Sequence, residues 1–184
     1  MNLASTLTPK SDQLNADDLI AGPRTIRINA VTAGSAEQPV NISFDGDNGR
    51  PWKPSKGMRR VLVALYGADS SGFLGKRVTL YNDADVTFGP DKTGGIRISH
   101  ASGIDGPQTI ALTVKKGKRK PFTVLPLPSC AAELETLKTA ANLGSKALTA
   151  AFLALPKDVQ EILRSDAGDL KSVAAAADKQ SNAA

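Results

Sequence analysis

The chain has 184 residues, 41% of them hydrophobic, a formal net charge of +5, and a single cysteine and a single histidine. That is enough apolar material for a core, while one cysteine excludes an internal disulfide and, with one histidine, cannot supply half of a usual structural zinc site. No run approaches the roughly 20 continuous apolar residues that cross a bilayer, and the N-terminal stretch MNLASTLTPKSDQLN lacks a charged start followed by an apolar run, so a cytoplasmic protein is expected.

Residues 1–22 are polar and without sustained periodicity, which predicts a flexible arm with a short helical turn over 15–20. From Arg24 the pattern changes. Ile26, Ile28 and Val31 alternate with polar residues, as do Val40, Ile42 and Phe44, so two strands are predicted over 24–31 and 38–44, joined by a loop over 32–37. The run Asp45-Gly46-Asp47-Asn48-Gly49 closes the second strand with turn chemistry; Pro51 and Lys53 stand where later calcium ligands would be needed. Pro51 and Pro54 then forbid a helix and hold Trp52 in a stiff loop between Arg50 and Lys53.

Ser55 suits a helix N-cap, and Met58, Val61, Leu62 and Leu65 recur at helical spacing, leaving Arg59 and Arg60 on other sides. Gly67 ends this helix, and 75–81 alternates as a strand with Arg77, Thr79 and Tyr81 on one face. A short return at 86–88, a glycine-rich turn at 89–95 and a strand at 96–100 follow, the last with Arg97 and Ser99 opposite Ile96 and Ile98. Residues 108–115 form the next strand. A basic turn over Lys115, Lys116, Lys118, Arg119 and Lys120 leads into a final strand at 121–125 that contains Phe122.

The runs PWKPSKGMRRVLVALYG, GKRVTLYNDADVTFG and GGIRISH, in that order, resemble a group of small bacteriophage and prophage proteins found among phage replication and recombination genes. The resemblance covers residues 24–127. It implies a single-stranded-DNA-binding protein with an oligonucleotide-binding (OB) barrel. The strand pattern itself predicts an α+β fold: a small antiparallel curved sheet or partly open barrel over 23–128 with one inserted helix.

Two prolines in 126–128 mark a boundary, and the composition beyond it turns to alanine and leucine. Helices are predicted over 130–141, capped by Ser129, over 145–155, over 157–164 with Pro156 in the first turn, and over 169–179. Within this helical module, 129–184, the run GSKALTAAFLALPKDVQEIL followed by LKSVAAAAD looks similar to the C-terminal helical endings of several phage recombination and single-strand-annealing proteins. Charge separates the two parts: 17 Lys and Arg against 11 Asp and Glu through residue 128, then 6 against 7. The basic surplus therefore lies in the strand-rich part.

No nucleophile elbow, phosphate loop or carboxylate cluster accompanies His100, Ser99, Ser102 and Asp105, so no enzyme, metal or cofactor is expected. The leading expectation is a module for single-stranded DNA. Its contacts would come from Arg50, Lys53, Lys56, Arg59, Arg60, Lys76, Arg77 and Arg97 together with the basic turn. Trp52, Tyr66, Tyr81 and Phe122 are available to stack on bases. Trp52 is equally suited to anchor the core, and aromatic residues are only 4% of the chain. The alternative is a protein-interaction factor that docks a phage recombinase, nuclease or host protein, with the C-terminal helices as its handle; a homo-oligomer is compatible with either.

Overall fold

The structure, a computed structural model, describes residues 11–88, 91–92, 94–115 and 117–181. It is an α+β protein that divides into two compact units between Leu127 and Pro128.

The first unit is built on a six-stranded sheet. Its strands are β1 (Arg24–Ala33), β2 (Val40–Phe44), β3 (Arg77–Asp83), β6 (Gly95–Ala101), β7 (Gln108–Lys115) and β8 (Lys118–Pro126), in the spatial order β2-β1-β3-β6-β8-β7. A separate two-stranded ribbon joins β4 (Thr87–Phe88) to β5 (Asp91–Lys92). All neighbours in the larger sheet are antiparallel except β6 and β8, which run parallel through His100–Leu125 and Ala101–Pro126. The alternating apolar positions explain the sheet: Ile26, Ile28, Ile42, Phe44, Val78, Leu80, Ile98 and Val124 all point to one core and are buried. Each fully buried aliphatic side chain contributes about 1.5–3 kcal/mol. A bulge between Ile28 and Ala30 lets β1 pair with β3 over its first half and with β2 over its second.

Helix α1 (Lys56–Tyr66) covers this core with Met58, Val61 and Leu62. The Ser55 hydroxyl accepts from the Met58 amide at 3.4 Å, and Gly67, at φ +88°, ends the helix in the left-handed region that disfavours other residues. Trp52 lies in the same core at 1% exposure. Its backbone exchanges hydrogen bonds with Ile42 at 2.8 and 2.9 Å, which draws the proline-bounded loop onto β2.

Three strand-unit expectations change. The sheet, expected to be antiparallel, contains one parallel pair, because the β7–β8 hairpin brings β8 back beside β6 in the same direction. Residues 11–22, expected as part of a flexible arm, are packed: Leu14 and Leu19 are buried, the Leu14 amide donates to the Pro51 carbonyl at 3.0 Å, and Ala16–Leu19 forms a 3-10 turn. Two well-spaced leucines suffice to seat a segment that shows no regular periodicity. Residues 1–10 of the expected arm, and parts of the glycine-rich turn (89, 90 and 93), lie outside the described residues. The basic turn is mostly strand, since Arg119 and Lys120 pair with Thr113 and Leu112. The alternation of Phe122 and Val124 extends backwards through the cations, and Gly117, at φ +75°, holds the turn.

Among the described residues the second unit has three helices: α2 (Ala131–Ala141), α3 (Ser145–Ala154) and α4 (Lys157–Ser181). The two C-terminal helices expected from sequence are one. Leu163, Ala167, Leu170 and Ala174 recur at helical spacing through Gly168 into a common core with Leu137 and Leu148, and that packing outweighs a mid-helix glycine's cost of about 1 kcal/mol. Cys130, not Ser129, occupies the N-cap of α2, without a side-chain cap bond, and Pro156 precedes the first residue of α4. Polar groups close the helix ends. The buried Gln160 amide donates to the carbonyls of Leu153 and Leu155 at 3.3 and 2.7 Å, and the Asp178 carboxylate accepts from the Ser145 amide at 3.1 Å. Among the described residues no helix is long and apolar enough to cross a membrane.

Candidate nucleic-acid interface

The cations of the first unit fall into two classes. Arg50 donates to both oxygens of Asp18, at 2.7 and 3.3 Å, and to the Ser11 carbonyl at 3.1 Å, while Lys53 meets Asp12 at 2.7 Å. The Lys53 hydrogen bond and charge hold the Asp12 carboxyl below the usual carboxylate range. Both residues, expected to contact phosphates, here tie residues 11–22 to the loop that carries Trp52. Trp52 is sealed in the core and cannot stack on a base without unfolding.

On the outward face of β1, β3 and β6 the side chains form a polar ladder. Arg27 lies opposite Arg77, Thr25 bonds Thr79 at 2.8 Å, and Tyr81 lies opposite Arg97. Asp45 meets Arg27 and Asp83 meets Arg97, each at 2.6 Å. Arg97 also lies 5.4 Å from the Phe122 ring centre. His100 Nδ1 lies 3.0 Å from the Ser99 hydroxyl, which donates to the Thr79 carbonyl at 3.3 Å. Tyr81 is half-buried, and its hydroxyl pKa is raised by that burial and by Asp83, with Arg97 opposing. Of the expected residues this face collects Arg77, Tyr81 and Arg97. Sequence reading missed Arg27, Asp45 and Asp83 as members of it, although Arg24-Thr25-Ile26-Arg27 already alternates correctly.

Lys76 and Tyr66 belong elsewhere. The Lys76 ammonium lies 5.7 Å from the Tyr66 ring centre, whose hydroxyl donates to the Ser102 carbonyl at 3.0 Å and has its pKa pushed up to about 12, chiefly by burial. Arg59 is half-buried, with its Nε enclosed and without a hydrogen-bond partner among the described residues.

The second class is exposed. Lys118, Arg119 and Lys120 on β8 and Lys56 and Arg60 on α1 face solvent and make no ion pair among the described residues. Alternation sends Lys118 and Lys120 to one face of the strand and Arg119 to the other. Lys56 and Arg60, four apart, share a helix face. The elements adjoin: α1 packs on β7, where a side-chain carbon on Gly57 would lie 3.9 Å from Leu112, and Leu112 is the cross-strand partner of Lys120. The backbone of Lys115 pairs with Lys118, while Lys116 lies outside the described residues.

Among the described residues no three His, Cys, Asp or Glu side chains are grouped to hold a metal ion. Comparison with known proteins finds no matching family model, no matching curated protein and no matching solved structure.

Proposed function

We propose that the first unit binds single-stranded nucleic acid through its β7–β8 hairpin and the adjoining face of α1, as a phage-type single-stranded-DNA-binding protein of replication or recombination. The observation that carries this reading is the division of the cations. Those elsewhere in the unit are largely engaged with carboxylates or aromatic rings, whereas five on two adjoining elements are exposed and make no ion pair among the described residues. Exposed like charges gathered on a hairpin repel each other, and a phosphate chain relieves that repulsion while releasing its counterions.

The strand arrangement supports an OB-like barrel. With β2 and α1 taken as an insertion, β1, β3 and β6 make an antiparallel meander, and the chain then returns through β7 and β8 to lie parallel to β6. The insertion places a helix before β3, and the link over 102–107 between β6 and β7 contains none. The phage setting is taken from the sequence motifs over 24–127 alone. Stacking is a minor part of this mode of binding: Trp52 is enclosed and Phe122 packs against the core, which leaves Tyr81 as a half-open platform.

The test is anisotropy of a fluorescein-labelled dT oligonucleotide of about 30 nucleotides, titrated with the full chain at low and high salt. Micromolar or tighter binding that weakens steeply with salt is expected. Absence of binding at low salt refutes the proposal.

A further inference from the structure

The C-terminal unit carries a groove between α3 and α4, apart from the residues proposed to bind nucleic acid. Its volume is about 620 Å³, it is open to solvent, and its lining is largely apolar. Leu148 and Phe152 contribute from α3; Ala167 and Gly168 contribute from α4, with Arg164 and Lys171 beside them. Residues 164, 167, 168 and 171 fall on one stripe of the helix. Residues 128–184 contain 6 Lys and Arg and 7 Asp and Glu, yet the groove is lined by two cations and no carboxylate. The lining is thus positive in a unit whose formal charge is negative.

Two further features suit occupation from outside. Glycine is a poor residue for the interior of a helix, yet Gly168 stands within the 25 residues of α4, and a side-chain carbon there would meet nothing within 4 Å. The missing side chain relieves no crowding inside the unit; it leaves this part of the groove wall open to an approaching chain. Leu153, on the α3 wall, is 64% exposed. Among the described residues Arg164 pairs with Glu161, at 2.7 Å and with the arginine side chain 67% exposed, and a surface pair of this kind exchanges readily.

We propose that this groove docks an acidic amphipathic helix of a partner protein. Its apolar residues would lie over Phe152, Leu153 and Ala175, and two carboxylates would meet Arg164 and Lys171. Those cations are seven residues apart on α4, about 10 Å along the axis, so the matching carboxylates stand two turns apart on the incoming helix.

The probe is an alanine-based peptide of about 15 residues with leucines at i, i+4 and i+7 and two glutamates seven apart, titrated into the isotope-labelled full chain. Amide shifts at Leu148, Phe152, Gly168 and Lys171 are expected. The same peptide with lysines for glutamates should bind at least about tenfold more weakly, as should the acidic peptide to the Arg164→Glu, Lys171→Glu variant. Gly168→Leu, a helix-compatible change, should block docking while circular dichroism stays unchanged. Equal binding of the acidic and basic peptides, shifts confined to other surfaces, or no binding overturns the proposal. So does displacement of the peptide by dT oligonucleotide from the same residues, or sedimentation showing the groove filled by a second copy.

Discussion

Replacing Lys118, Arg119 and Lys120 together by threonine tests the electrostatic reading at its centre. Threonine is chosen because all three positions lie in β8, where a β-branched residue keeps the strand favourable. The side chains are exposed and make no ion pair among the described residues, so folding should be little affected. If each of the five exposed cations neutralises one phosphate of a single strand, the log–log salt slope is about −3.5, and binding weakens roughly 130-fold between about 50 and about 200 mM salt. The variant retains Lys56 and Arg60, so its slope falls to about −1.4 and the same salt change weakens binding only about sevenfold. Anisotropy of labelled dT at four or five salt concentrations measures both slopes. As a control, Lys146→Ala with Lys179→Ala, in the other unit, should leave the slope unchanged. A triple variant with the wild-type slope would refute the assignment of phosphate contacts to the hairpin, whatever its affinity at one salt concentration.

Other outcomes follow from the same geometry. Saturating dT should leave Trp52 fluorescence nearly unchanged, and Trp52→Ala should cost about 3–5 kcal/mol in urea unfolding; strong quenching would instead place the indole at the interface. Arg50→Ala removes both bonds to Asp18, and exposes residues 11–22 to limited proteolysis at a loss of about 1.5–3 kcal/mol; unchanged cleavage would contradict the anchoring role. Because burial raises the Tyr66 pKa above its ordinary value of 10.0 to about 12, the folded state holds that proton longer than the unfolded chain. Its stabilising contribution is complete below pH 10 and is lost as pH rises towards 12. Tyr66→Phe should flatten that alkaline decline in the urea midpoint. Gly168→Ala should stabilise the second unit by about 0.5–1 kcal/mol, read from its thermal transition, since the new methyl group meets nothing.

Local chemistry made much of the fold legible. Ser55 and Gly67 bracket α1 because a hydroxyl acceptor and a left-handed glycine act on their own neighbours, and the alternation of Val78 and Leu80 declares a half-buried strand. What sequence pattern left out was long-range. Nothing near Arg50 reveals that its partner is Asp18, and nothing in PWKP distinguishes a presented tryptophan from one drawn inward by Ile42. Gly168 and the polar Ser165 and Asp166 imitate a helix break; only the shared core of Leu163 and Ala174 carries α4 through them. The same limit applied to the candidate site. Arginine and lysine are visible in a sequence, but whether each is committed to a carboxylate depends on which strands adjoin.

The bulged strand β1 has a consequence for how the first unit assembles. Its early residues are read by β3 and its late residues by β2, so one strand is checked for alignment by two neighbours that are far apart in the chain. A slip of one residue would turn Ile26 and Ile28 outward against one neighbour and break the pairing with the other. The correct alignment is therefore enforced twice.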